Sequence, residues 1–419
     1  MARGAAGTGD FMRAILTVLA VLLIAALPAA AQETAAPLDL TRQLIATGRH
    51  DAAAASAKAA FGAAGTDAER VAAARLAASA HFRSRQWARA ELWLRIARQY
   101  ARHPAELQAV AADFAGLNAA SPWDVQLSFS IAPSSNINNG SQADTVTIWG
   151  LPFVLNPDAR ALSGWERSAG ARLAYTVSES STHKSQIGFA ANARSYWLSP
   201  ASAKAAPDVE GSDFAFSAAE VFASHSWAGQ RGPASVGVSL GRNWYGGDPH
   251  TGYGRLRYSQ SWQSLPGEGG SFAVGLERQI AAASAARSWI GSGELTLQTR
   301  IAAGGVAATI GAARTTSEDP LSENDAARLE LRFAAARPVL GMGWRAQLSA
   351  EKRHWPLSIY DPAGREDVTV SGSVEVMPRD LGFFGFAPTV RLEARQTRSN
   401  ISLFRRESVG LRLGLETQF

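Results

Sequence analysis

The chain has 419 residues, 41 lysines and arginines against 36 aspartates and glutamates, and a formal net charge of +5 at pH 7. An excess so small, with no basic cluster, argues against a nucleic-acid partner, and the length admits one large domain or several small ones. There is no cysteine, which excludes both a disulfide scaffold and a lipidated amino terminus.

The amino terminus reads as a targeting segment. Arg3 and Arg13 precede the apolar run AILTVLAVLLIAA (Ala14–Ala26), and PAAAQ (Pro28–Gln32) supplies small residues for cleavage after Ala31. The run is short for a membrane helix, so residues 1–31 are expected to be a removed signal peptide. Its loss takes Arg3, Arg13 and Asp10 and lowers the net charge by one. No later stretch reaches the roughly 18 apolar residues of a spanning helix, although a strand crosses a bilayer with only about 9–11.

Residues 32–121 read as helical: rich in alanine and arginine, with apolar positions recurring at three and four. One helix pair turns at Gly48-Arg49-His50, a second turns at Arg83-Ser84-Arg85, and a third segment covers Ala105–Leu117. Leu76, Ala80, Ala90, Leu94 and Ala97 are candidate packing positions, while Trp87, Trp93 and Tyr100 belong to the core or to a groove. The pattern resembles small, degenerate tetratricopeptide repeats, with a plain helical bundle as the alternative.

From Pro122 the period changes to two. WDVQLSFSI (Trp123–Ile131) alternates throughout, and GELTLQTRI, ARLELRF, DVTVSGSVEV and PTVRLEAR repeat the pattern further on. Fourteen strands are predicted, near 123–134, 165–178, 185–196, 213–228, 235–245, 252–264, 271–280, 287–300, 305–313, 326–337, 341–352, 366–377, 386–397 and 407–419. Connections after even strands are mostly brief, and several after odd strands are longer and polar, such as SEDPLSENDA and RHWPLSIYDPAGRE.

A soluble sandwich also alternates. Unbroken strands through residues 122–419, an even strand number and asymmetric loops favour an all-β transmembrane barrel, whose closure removes unpaired edges. Trp197, Trp227, Trp244, Tyr258 and Trp289, near strand ends, suggest interfacial girdles. Arg328, Glu330, Arg332, Arg345, Glu351, Arg391, Glu393, Arg395, Arg412 and Glu416 fall on the polar parity and are expected to face the lumen. There they either satisfy the barrel interior or line a hydrated route. The chain ends SVGLRLGLETQF, with Val409, Leu411, Leu413 and Leu415 on one parity and an aromatic carboxyl terminus, Phe419.

The first long connection contains SNIN (Ser135, Asn136, Ile137, Asn138) and LPFVLNPDARALSG (Leu151–Gly164), with Asp158-Ala159 at its centre. Here the sequence resembles the surface lipoprotein assembly modulator family, over roughly residues 70–419 and most strongly over 123–178. The family joins periplasmic tetratricopeptide-type repeats to a fourteen-strand outer-membrane barrel. The resemblance implies an outer-membrane translocon or assembly factor with its helical domain in the periplasm. The implied partners are a surface lipoprotein or secreted client, the bilayer, a periplasmic chaperone, and the barrel assembly machinery, for which Phe419 would be the signal. The short amino-terminal region departs from the family and leaves client class open.

A porin-like or polysaccharide-export channel and a structural outer-membrane anchor are the other readings of the same chain. Neither a catalytic residue nor a cofactor is expected. The seven histidines, at 50, 81, 103, 183, 225, 250 and 354, show no metal-ligand spacing.

Overall fold

The computed structural model describes residues 29–265, 267–378 and 386–417. All but the last three residues of the expected leader, and Phe419 at the other end, lie outside the described residues. The chain divides into two compact units between Ser121 and Pro122.

The first unit is helical: α1 (Ala29–Ala46), α2 (His50–Ala63), α3 (Asp67–Arg83), α4 (Trp87–Tyr100) and α5 (Pro104–Ala120). Local chemistry sets the ends. Thr66 accepts a bond from Glu69 N–H, and the Glu69 carboxylate accepts from Gly65 and Thr66 N–H, a reciprocal cap that starts α3. Pro104 opens α5 where a missing N–H costs nothing. Alanines at the contacts let helices approach closely: Ala74, Ala78, Ala90 and Ala97 are buried around Val71, Leu94, Val110, Phe114 and Leu117. Trp87, Trp93 and Tyr100 pack against this core. Consecutive helices touch, and so do α1 with α3 and α3 with α5, as in stacked helix pairs.

The second unit is a closed barrel of fourteen antiparallel strands: β1 (Trp123–Ser134), β4 (Gly164–Glu179), β5 (His183–Leu198), β6 (Phe216–Gly229), β7 (Gly232–Tyr245), β8 (Asp248–Leu265), β9 (Glu268–Ala281), β10 (Arg287–Ile301), β11 (Gly304–Ser317), β12 (Asn324–Ala335), β13 (Met342–Trp355), β14 (Arg365–Pro378), β15 (Phe386–Ser399) and β16 (Arg406–Thr417). Each expected strand overlaps one of these. Consecutive barrel strands pair, and β1 closes on β16 with Ser128 opposite Glu416 and Ile131 opposite Leu413.

The two ends differ. Tight turns such as Gln230-Arg231 join β6 to β7 at one end. At the other, residues 135–163 separate β1 from β4 and 199–215 separate β5 from β6. One long-end connection is short: Gly246 and Gly247, both at positive φ, turn β7 directly into β8.

The long connections carry structure that alternation does not reveal. A hairpin, β2 (Thr145–Ile148) with β3 (Leu151–Val154), lies in the first, and a short helix, α6 (Pro200–Ala205), in the second. A 3-10 turn at Gly211–Phe214 delays β6 to Phe216, three residues later than expected.

Candidate functional site

Alternation sends one face of every strand outward. Phe129, Leu173, Ile187, Val221, Leu240, Leu256, Leu276, Leu297, Ile310, Leu331, Leu348, Val370, Leu392 and Leu413 are exposed, one from each of the fourteen strands. An apolar band of that extent is far larger than the patches of a few hundred square ångströms that soluble monomers carry. Trp227 packs near Tyr258 and Tyr258 near Phe272 at the short-turn end, and Trp165 stacks on Trp197 at the long-loop end.

The other face is polar, and two cavities are bordered by it among the described residues. One, of about 940 Å³, lies towards the short-turn end, between the Gln230-Arg231 turn and Arg300, Arg332, Arg345 and Arg391. The second, of about 690 Å³, reaches from Ser128 and Glu416 to Asn136 in the first loop and includes Glu393, Arg395 and Arg412. Gln347, Ser373, Glu375 and Arg391 border both.

Ion pairs line the wall. Glu375 lies between Arg345 at 3.2 Å and Arg391 at 2.6 Å. Glu330, buried, is held by Arg328 and Arg332. Glu351 meets Arg353 at 3.0 Å. Arg412 reaches Glu166 at 2.6 Å, Glu393 at 3.0 Å and the Ser130 hydroxyl at 3.0 Å. Seven of the ten residues expected in the lumen thus line these cavities: Arg332, Arg345, Arg391, Glu393, Arg395, Arg412 and Glu416. Arg328, Glu330 and Glu351 share their parity without bordering either cavity. Glu375 and Glu166 join the expected set as ion-pair acceptors on this wall. Glu375 sits in the alternating DVTVSGSVEV, but its importance comes from register: Arg345 and Arg391 lie opposite it on both neighbouring strands.

The first loop is fastened down by the residues singled out in it. Asn138 donates to the carbonyls of Asp158 (2.8 Å) and Arg160 (2.7 Å) and accepts from Leu162 N–H (2.9 Å). Both halves of the motif therefore meet in one knot, with Ala159 accepting from Ser141 N–H. Asn136 donates to Gly140 and Glu407 carbonyls, and the Ser135 hydroxyl accepts from Val409 N–H, tying the loop to β16. A Cβ at Gly140 would overlap the Arg160 carbonyl, so only glycine fits there. Ile137 is buried with Leu162 and with Ala206, just past α6, and Val146 of the hairpin is buried with Leu155 and Ile401. Asn136, Ile137 and Asn139 also line the upper cavity.

The helical unit has a groove of its own, about 490 Å³, lined by Arg75, Phe82, Leu94, Asp113 and Leu117. Arg75 donates through two nitrogens to Asp113, and that bond raises its pKa. Among the described residues no group of His, Asp and Glu is placed to hold a metal ion, and no helix is long and apolar enough to cross a membrane.

No family model matches the chain, and none of the curated proteins does. Among solved structures it is similar to a bacterial polysaccharide outer membrane secretin, at 7% identity and TM-score 0.37 over 70% of this chain and 98% of that one. OccAB3 of Acinetobacter baumannii is 8% identical, with TM-score 0.37 over 70% of this chain and 98% of that one. The β domain of the Bordetella autotransporter BrkA is 12% identical, with TM-score 0.30 over 71% of this chain and 100% of that one. Likenesses this distant carry no functional information.

Proposed function

We propose that the protein is an outer-membrane transport barrel that assists passage of a client protein, a surface lipoprotein or a secreted protein, across that membrane. The membrane assignment is supported by the unbroken apolar exterior around a closed sheet, since lipid tolerates only a barrel without edges. The observation that carries the transport reading is the first loop. The stretch that resembles surface lipoprotein assembly modulators is knotted on itself, tied to β16, and lines the upper cavity. A polar route whose outer end is bordered by a fastened loop suits regulated passage better than free diffusion. In this reading the helical unit lies in the periplasm, where its groove meets the client or a chaperone.

Deleting the gene and measuring surface exposure of secreted or lipidated products of neighbouring genes tests the proposal. Loss of exposure for one of them is expected, and unchanged exposure of all would refute it. The two cavities sharing one wall favour a second reading, a channel for polar solutes or polysaccharide. A large, constitutively open conductance in planar bilayers would decide for that reading.

A further inference from the structure

The outer wall carries a second pattern besides its apolar face. β7, β9, β11, β13 and β15 all run from the short-turn end to the long-loop end. Near its end each places a basic residue on the outward parity: Arg242, Arg278, Arg314, Lys352 and Arg398. In β7, β9, β11 and β13 it is the fourth residue from the strand's end; in β15 it is next to last. All five are exposed and follow the apolar outward residues of the same strands, such as Leu240 before Arg242 and Leu276 before Arg278. Where these strands begin, the outward parity carries no basic residue: it reads Ala234, Phe272, Val306, Trp344 and Phe386, and Glu268 opens β9. The wall therefore carries this basic row near one end only, with Asp325, Glu366 and Glu407 on the same outward parity there.

Alternate strands of a sheet lie about 9–10 Å apart, so the five form a row along the wall. Lys352 and Arg398 stand level, each opposite Val368 of β14. Arg314 and Lys352 have carboxylates on the same face, Asp325 at 3.7 Å and Glu366 at 2.9 Å. No carboxylate partner is found for Arg242, Arg278 or Arg398 among the described residues; Arg278 lies over the Trp289 ring. A row of like charges beside an apolar band calls for an anion that also covers apolar surface. An acidic protein satisfies the charge alone. A lipid satisfies both, with its chains on the leucines and its headgroup on the guanidinium groups.

We infer that this row is a binding belt for the phosphate-bearing headgroups of the lipid leaflet at the long-loop end. The inference rests on the outer-membrane reading above. It gives the barrel a fixed depth and polarity in the bilayer, because the short-turn end has no equivalent basic row.

The test uses the full chain. Insertion into phosphatidylcholine vesicles comes first, scored by protease protection of the strands. Failure to insert would remove the outer-membrane reading and this inference with it. The inserted protein is then titrated with diphosphoryl lipid A and with its dephosphorylated form, and bound lipid is counted by native mass spectrometry. Wild type should prefer the phosphorylated lipid by about tenfold or more, a preference that weakens with salt. The combined Arg242→Gln, Arg278→Gln, Arg398→Gln variant should lose that preference, and the corresponding lysine variant should keep it. Equal binding of both lipid forms by wild type overturns the inference without touching the membrane reading. So does an unchanged preference in the folded glutamine variant. If the glutamine variant fails to fold, wild type against the two lipids still decides. Polyglutamate bound in place of lipid would assign the belt to an acidic protein instead.

Discussion

At the scale of single residues, burial decides which lumen charges matter. Glu375 is 4% exposed and serves two guanidinium groups, whereas the Arg257–Glu294 pair, at 2.7 Å, has side chains 50% and 42% exposed. Breaking a fully buried pair costs about 3–5 kcal/mol, and an exposed pair contributes at most about 1. Arg345 and Arg391 keep part of their hydration, so Glu375→Gln is expected to cost about 1–3 kcal/mol in urea unfolding of the detergent-folded barrel. Glu294→Gln should cost less than about 0.5 kcal/mol. Equal effects would mean that the lumen wall is uniformly solvated. In the helical unit, Glu106 accepts bonds from Arg102 and His103 N–H, which hold its carboxyl below its ordinary value of 4.5. A lowered folded-state pKa means stabilisation that is complete above the ordinary value and is lost as pH falls through the lower one. Helical melting followed by circular dichroism should therefore weaken on acidification below the ordinary value, and Glu106→Gln should flatten that part of the profile. A variant with the wild-type pH profile would assign the acid sensitivity elsewhere.

At the scale of elements, the strands and the loops tell opposite stories about what a sequence reveals. Strands were legible because lipid on one side and water on the other enforce a period of two, and GELTLQTRI or ARLELRF cannot satisfy that environment any other way. The β2–β3 hairpin was not legible: LPFV is four exposed residues with no alternation, and the hairpin is anchored through Val146 of β2, packed on Ile401, distant in the chain. Pairing within the lumen was likewise hidden, because which arginine meets Glu375 depends on register across three strands. In the first loop SNIN and Asp158-Ala159 were both marked, but only the fold shows that Asn138 joins them. Asn138→Asp keeps the acceptor for Leu162 N–H and loses both donations, setting a carboxylate against two carbonyl oxygens. Unsatisfied groups of this kind cost about 1–3 kcal/mol each, so with two donations lost the population of unfastened loop should rise by about thirtyfold or more. Limited proteolysis within residues 139–160 should accelerate by that factor while the strands remain resistant. An unchanged cleavage rate would show that Asn136 and Ile137 fasten the loop without it.

At the scale of the whole molecule, a barrel is only as sound as its closure. β1 pairs β4 without interruption from Trp123 opposite Tyr175 to Ser134 opposite Gly164. Towards β16 the same strand pairs at Ser128–Ile131 and again at Ser134, and between them Ala132 and Pro133 have no β16 partner among the described residues. Proline also lacks the N–H that a ladder needs. Arg412 on β16 strengthens this seam through its side chain. One of its nitrogens reaches Ser130 on β1 and Glu166 on β4, and the other reaches Glu393 on β15. It therefore links four strands across the line where the sheet closes, with a fork of donors that an ammonium group cannot reproduce. Arg412→Gln is expected to lower barrel stability by about 2–3 kcal/mol, with Arg412→Lys intermediate. Hydrogen exchange should quicken first in β1 and β16, ahead of the strands opposite. Exchange that quickens evenly around the barrel would mean that the seam is no weaker than the rest of the wall. Exchange confined to the seam would identify closure as the step at which a loosened barrel first opens to lipid, since unpaired edges there meet a medium that offers them no hydrogen bonds.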